Sequence, residues 1–357
     1  MRLPLDVLRD APHRANTVRL LSMKALPVLA AVTGVAAMAV LVGYFGAGAV
    51  IRSLLAVGGL GFIAICAIHL ALIAVMGLAW RALLPGVPAG RVMWARLVRD
   101  SGSEALPLSQ VGGYVLGARA LSLAGVSGTL AAATTIVDVT LEFVAQLAYT
   151  ALGLALLVRL QPETEVAVPV LLGLAAAGLA AIAFVLVQRR GFAFFDRIAR
   201  ILGSGWAERS AAGAAALHAT LAGIYRNPPR LWASGVVHLA CWIASAVEVW
   251  LALWLAGHPL SFGAVLAIES LLYAIRTAAF VVPNAVGVQE GAYILLGAGF
   301  GLTPDMALAL SFLKRARDLA IGLPAIGIWQ FIESGRVLRR RRAARGHIAD
   351  QVMPPAD

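Results

Sequence analysis

Hydrophobic side chains gather along this chain in six long, predominantly apolar runs, at 25–45, 57–79, 128–158, 166–187, 231–256 and 304–332. A helix needs about 20 such residues to cross a hydrocarbon core of roughly 30 Å, and each run meets that length. The pattern predicts an all-α, polytopic integral membrane protein. The stretch 260–301 is also apolar, but Glu269, Arg276, Pro283 and Glu290 interrupt it, so it reads either as two crossings or as one re-entrant pair. The expected count is six to eight transmembrane segments.

Two segments, 106–128 and 282–304, look like one broken element used twice. Laid over each other without a gap, they place Pro107 on Pro283, Gly125 on Gly301, Ser127 on Thr303 and, further along, Glu142 on Asp318. Pro107, Gly112 and Gly113 in the first copy, and Pro283 and Gly287 in the second, are the expected helix breaks. Proline removes a backbone donor, and glycine weakens the helix. Broken backbone is tolerated at membrane depth only where it is buried in protein or lines a wet cavity. Paired breaks of this kind in two halves of a membrane protein point to a binding site near the midplane.

Composition strengthens the membrane reading, because 61% hydrophobic against 13% charged residues is more apolar side chain than a soluble core of 357 residues would bury. The net charge of +11 becomes informative once placed. Basic residues concentrate in the N-terminal arm, in the loop after the second helix (Arg81, Arg91, Arg96, Arg99), in the segment 188–230 and in the tail. The intervening loops offer Arg52 and Arg159 only. The positive-inside rule then puts those segments and both termini in the cytoplasm. With no soluble domain to present a basic patch, nucleic-acid binding is set aside.

The expected organisation is a cytoplasmic arm, 1–24; one transmembrane domain, 25–332, with halves 57–187 and 231–332 joined by a cytoplasmic or interfacial linker, 188–230; and a polybasic tail, 333–357. The first helix reads as retained, since no small-residue cleavage site follows it. Residues 192–202 fit an interfacial amphipathic helix, and the tail suits an anionic membrane surface. In this orientation the first broken segment starts and ends on the cytoplasmic side and the second is reached from the opposite face. That makes them re-entrant hairpins in inverted repeats.

Chemistry concentrates on a few helix faces. Asp138, Glu142 and Gln146 recur every four residues, and so do Lys314 and Asp318, with Arg315 and Arg317 between them. A carboxylate at depth costs roughly 2.5–3.5 kcal/mol, so these groups should face a cavity with their charges paired. In the functional reading, Arg119, Arg276, Lys314 and Arg317 hold an anionic or hydroxylated headgroup. Asp138, Glu142, Glu290 and Asp318 balance that charge or take up protons, and Asn284 and Gln289 complete the site. The competing reading makes the same groups buried ion pairs that fix helix register. Under the functional reading, Glu290→Gln lowers lipid movement without lowering protein abundance.

Cys66 with His69, and His238 with Cys241, are spaced three apart and could ligate zinc if their helices met. Nothing in the sequence brings those faces together, so no metal or other cofactor is expected. The cysteines imply no disulfide framework.

The run Pro283-Asn-Ala-Val-Gly-Val-Gln-Glu-Gly291, the turn Leu302-Thr-Pro-Asp305 and the run Ser311-Phe-Leu-Lys-Arg-Ala-Arg-Asp318 resemble the flippase-like transmembrane region of lysylphosphatidylglycerol synthases, and within it the hopanoid-biosynthesis-associated branch. The resemblance implies a multi-pass bacterial inner-membrane protein that moves an amphiphilic lipid, a hopanoid or phospholipid derivative. Full synthases carry a soluble aminoacyl-transfer domain after the membrane part; this chain stops soon after its last helix, so aminoacyl transfer is not expected. There is no P-loop motif, which leaves the membrane potential, a proton gradient or mass action as the driving force. The alternatives are a membrane-embedded transferase acting on a polyisoprenoid or hopanoid lipid, and a scaffold whose basic loops recruit lipid-biosynthetic enzymes.

Overall fold

The computed structural model describes residues 47–105, 109–162, 167–190, 204–279 and 282–352. The expected helix at 25–45, the break residue Pro107 and the amphipathic segment 192–202 lie outside them. The described chain is all-helical: α1 (Ala47–Ala82), α2 (Ala89–Ala105), α3 (Ser109–Leu123), α4 (Gly128–Leu160), α5 (Ala167–Arg190), α6 (Ser204–Tyr225), α7 (Pro228–Leu255), α8 (Phe262–Ala278), a 3-10 turn (Pro283–Ala285), α9 (Val288–Ala298) and α10 (Pro304–Val352). Among the described residues four stretches are long and apolar enough to cross a membrane: Leu55–Ala82, Gly128–Leu160, Val168–Gln188 and Pro228–Leu255. The expected run 304–332 lies inside α10, where Lys314, Arg315, Arg317 and Asp318 keep it out of that set.

The internal resemblance is visible in backbone geometry. Gly125 and Gly301 both adopt positive φ, 97° and 83°. Val126 N–H donates to the Leu121 carbonyl, and Leu302 N–H donates to the Gly297 carbonyl at the matching position. Ser127 Oγ then accepts from Leu130 N–H to cap α4, and Thr303 Oγ1 accepts from Met306 N–H to cap α10. Each cap satisfies a backbone donor that the first helical turn leaves open. The two turns that launch the long charged helices are therefore built alike.

Each turn closes a helix–break–helix hairpin. In the first, α2 and α3 pack along each other, and Arg91 Nη1 donates to the Ala124 carbonyl at 3.0 Å, which holds the open end together. This end also carries Arg81, the Arg119–Glu333 pair and Arg336. In the second, α8 and α9 open at the other end of the bundle, where Gln161 Nε2 donates to the Gly299 carbonyl. The hairpin tips meet between the ends: Arg276 Nη2 lies 3.1 Å from Glu104 Oε2, and Asn284 Nδ2 donates to the Glu104 carbonyl at 3.3 Å.

The first hairpin differs from the sequence expectation. Its inward limb is α2, whose polar sequence reads as loop but whose Val92, Ala95 and Val98 are buried. Gly112 and Gly113 are not breaks; both lie inside α3. A Cβ on Gly113 would fall 2.0 Å from Ser103 Oγ, and one on Gly117 would fall 2.7 Å from Arg99 Cβ. These residues let α3 lie directly on α2, as small residues do at membrane helix contacts. At the second break Gly287 has φ 81° and precedes α9, after Asn284 and Ala285 in left-handed backbone.

Two apolar cores occupy the two ends. Trp80, Leu84, Val98, Leu121, Val137 and Leu221 form one around the first hairpin. Tyr149, Leu253, Val265, Leu272, Tyr293 and Leu310 form the other around the second. Between them, at middle height on α1, α4, α7 and α10, the helices carry their polar residues.

Candidate functional site

That polar belt surrounds a cavity of about 290 Å³. Its lining draws on both hairpins and on α1, α4, α7 and α10: Arg96, Arg99, Asp100 and Glu104 from α2, Glu142 and Gln146 from α4, Arg276 from α8, Arg317 and Asp318 from α10, with His69 from α1 and Trp242 from α7. Charge at this depth is tolerable because it is paired. Arg96 forks onto Glu142, with Nη2 2.6 Å from Oε1 and Nη1 3.1 Å from Oε2, and its Nε bonds Asp100 at 2.7 Å. Arg99 donates to Asp138 Oδ2 at 2.6 Å and also to Glu142. Asp138 receives His238 Nε2 on its other oxygen, at 3.0 Å. On the facing wall, Arg317 donates to Glu248 and to Asp318.

The network is buried at its back and partly exposed at its front. Asp138 and His238 are fully buried, while the side chains of Asp100 and Glu104 are 24% and 34% exposed. One wall is aromatic: Trp242 stacks on Tyr149 at 5.9 Å between ring centroids and meets Tyr273 edge-on at 4.7 Å, and the Arg276 guanidinium lies 5.7 Å from the Tyr273 ring. The cavity thus presents donors, acceptors and a flat apolar face together.

Of the residues singled out from the sequence, Glu142, Arg276, Asn284, Arg317 and Asp318 line the cavity. Asp138 sits behind it, buttressing Arg96 and Arg99. Lys314 is buried away from it, 2.7 Å from Glu269 Oε2 and 4.7 Å from the Tyr273 ring centroid. Glu290 belongs to a separate clamp, accepting from Arg315 Nε at 2.8 Å, Ser311 Oγ at 2.7 Å and the Gly287 N–H at 2.8 Å; Gln289 bonds the same Ser311. The clamp fixes the second break to α10, so the geometry gives Glu290 and Gln289 a structural role. Arg119 pairs with Glu333 at the arginine-rich end, 46% exposed and outside the cavity.

Sequence reasoning missed Arg96 and Arg99, which it counted with the cytoplasmic loop arginines; each is 2% exposed. The signal was available, since Arg96, Arg99, Asp100 and Ser103 fall at helical spacings of three, four and seven on one face. Among the described residues no group of three His, Cys, Asp or Glu side chains could hold a metal ion, so the two Cys–His pairs do not make a zinc set. His69 bonds Glu248 instead, and His238 bonds Asp138.

Among the described residues, an all-helical bundle with several apolar spans around a paired-charge cavity defines a membrane-embedded protein. A family model described as the lysylphosphatidylglycerol synthase TM region matches residues 28–325, and the chain belongs to that family. No curated protein and no solved structure matches it.

Proposed function

We propose that the protein binds the headgroup of an amphiphilic lipid in the cavity between its two hairpins and carries it from one leaflet to the other. One observation supports this above the rest: the tips of two oppositely entered hairpins converge, through Glu104 and Arg276, on a cavity lined by charge from both. In this reading the hairpins are re-entrant elements of two inverted repeats within six to eight membrane segments. Rocking one repeat against the other would expose the cavity to each face in turn. In this reading the arginine-rich end and both termini face the cytoplasm, as the positive-inside rule favours, and the family membership supports a bacterial inner membrane as the location. Hopanoid and phospholipid derivatives are the proposed cargo, and lipid-biosynthetic enzymes the proposed neighbours.

The proposed role is that of a carrier, with covalent chemistry left to other proteins. Purified protein in phospholipid vesicles should speed exchange of a fluorescent phosphatidylglycerol between leaflets and leave the lipid unmodified by mass spectrometry. Vesicles with and without protein exchanging the probe equally fast would refute the carrier, and a covalently altered lipid would favour a transferase.

A further inference from the structure

We infer that His69 is the group through which the cavity exchanges a proton with the charged belt, and that its protonation ties α1 to α10. The inference rests on the carrier reading and supplies that reading with a coupling residue. His69 lines the cavity and its side chain is 23% exposed, whereas the belt's other imidazole, His238, is fully buried. Its Nδ1 lies 2.9 Å from Glu248 Oε1 on α7, and its Nε2 lies 4.0 Å from Asp318 Oδ1 on α10.

The surroundings favour proton exchange at this ring. Glu248 and Asp318 both already accept from Arg317, so a cation stands beside each carboxylate. Across the cavity stand Arg96, Arg99 and Asp100 from α2 and Glu142 from α4; on its own helix Cys66 lies one turn away. Of the four acids expected from the sequence to balance charge or take up protons, two are poorly placed for uptake, because Glu290 is enclosed by Arg315 and Ser311, and Asp138 lies behind Arg96 and Arg99. Histidine is also the side chain whose ordinary titration falls between about pH 5 and 8.

A neutral imidazole has one N–H. Carried on Nδ1, it donates to Glu248 and turns the Nε2 lone pair toward Asp318. When Nε2 takes a proton from cavity water, the imidazolium donates toward both carboxylates and joins α1 to α7 and α10 together. Loss of that proton to water removes the α1–α10 attraction and leaves the α1–α7 bond in place. A movement that separates α10 from α1 is then linked to release of one proton.

The test uses full-length protein in phosphatidylglycerol vesicles. Leaflet exchange of a fluorescent phosphatidylglycerol is followed across the histidine titration range, and deuterium exchange at the imidazole C2 position of His69 is read by mass spectrometry on the same preparation. The expected result is a His69 titration in that range, with lipid exchange changing about fivefold or more across the same midpoint, the lower end of ordinary coupling energies. His69→Gln, which keeps a donor for Glu248 but cannot gain a proton, should flatten the profile, while His258→Gln at an exposed turn keeps the wild-type curve. A pH profile unchanged in His69→Gln, or a His69 ring that does not titrate in the range, would overturn the inference. If wild-type protein moves no probe at any pH, the carrier reading fails with it, and the deuterium-exchange titration alone decides whether His69 exchanges a proton.

Discussion

Glu290→Gln separates a structural clamp from a transport residue. The Glu290 carboxylate accepts from Arg315 Nε at 2.8 Å and Ser311 Oγ at 2.7 Å on Oε1, and from the Gly287 N–H at 2.8 Å and Arg315 Nη2 at 3.2 Å on Oε2. Glutamine preserves the shape but sets an NH2 donor where Oε2 meets two donors, and it leaves the Arg315 guanidinium, 5% exposed, without its anion. Breaking one partner of a buried pair costs about 3–5 kcal/mol. At roughly 2–4 °C per kcal/mol this is a fall in melting temperature on the order of 10 °C. Thermal unfolding of detergent-solubilised protein, followed by tryptophan fluorescence, measures it. Replacing both partners, as Glu290→Leu with Arg315→Met, should recover most of the loss, since an apolar pair of similar volume is often neutral. Lipid movement per folded molecule should stay near wild type in either variant. A Glu290→Gln protein that melts within about 1 kcal/mol of wild type yet moves lipid poorly would refute the clamp and return Glu290 to the site.

Arg276→Gln removes the charge that joins the hairpin tips at a partly open position; lipid movement should fall by about tenfold, the effect of roughly 1.4 kcal/mol, with little change in melting temperature, and an unchanged transport rate would detach the tips from the mechanism. Gly113→Ala forces a methyl group into Ser103 Oγ and the Arg99 carbonyl, 2.0 and 2.5 Å away, and should cost about 1–3 kcal/mol. Gly291→Ala, which meets nothing within 4 Å inside α9, should stabilise by about 0.5–1 kcal/mol, and the two melting shifts should have opposite signs. Arg119→Ala breaks an exposed pair and should change stability by no more than about 1 kcal/mol and transport not at all.

The sequence made the long apolar helices readable because lipid-facing positions need no partner, so hydrophobicity alone marks them. It also exposed the internal duplication, since Gly125 and Gly301 answer to a backbone conformation and Ser127 and Thr303 to a helix cap, both local demands. The site was half legible. Glu142, Arg276 and Asp318 stand out as charges at depth, but charge alone does not say which neighbour neutralises it. Lys314 and Glu290 looked equivalent to Arg317 and Asp318 until packing showed the former turned to Glu269 and Arg315. Arg96 and Arg99 were hidden for the opposite reason: α2 owes its burial to being enclosed by protein, and a polar helix enclosed by protein is indistinguishable in composition from a solvent loop.

The seating of α3 on α2 through Gly113 and Gly117 has a mechanical consequence. With only the Ser103 hydroxyl and the Arg99 stem interposed at these glycines, the hairpin would turn as one stiff arm about its base near Gly125. At 1.5 Å per residue the 17 residues of α2 make that arm about 25 Å long. A pivot of about 5° would swing its far end by about 2 Å, enough to part Glu104 from Arg276, so leverage converts a slight flexing at one rim of the bundle into a severed contact at its centre.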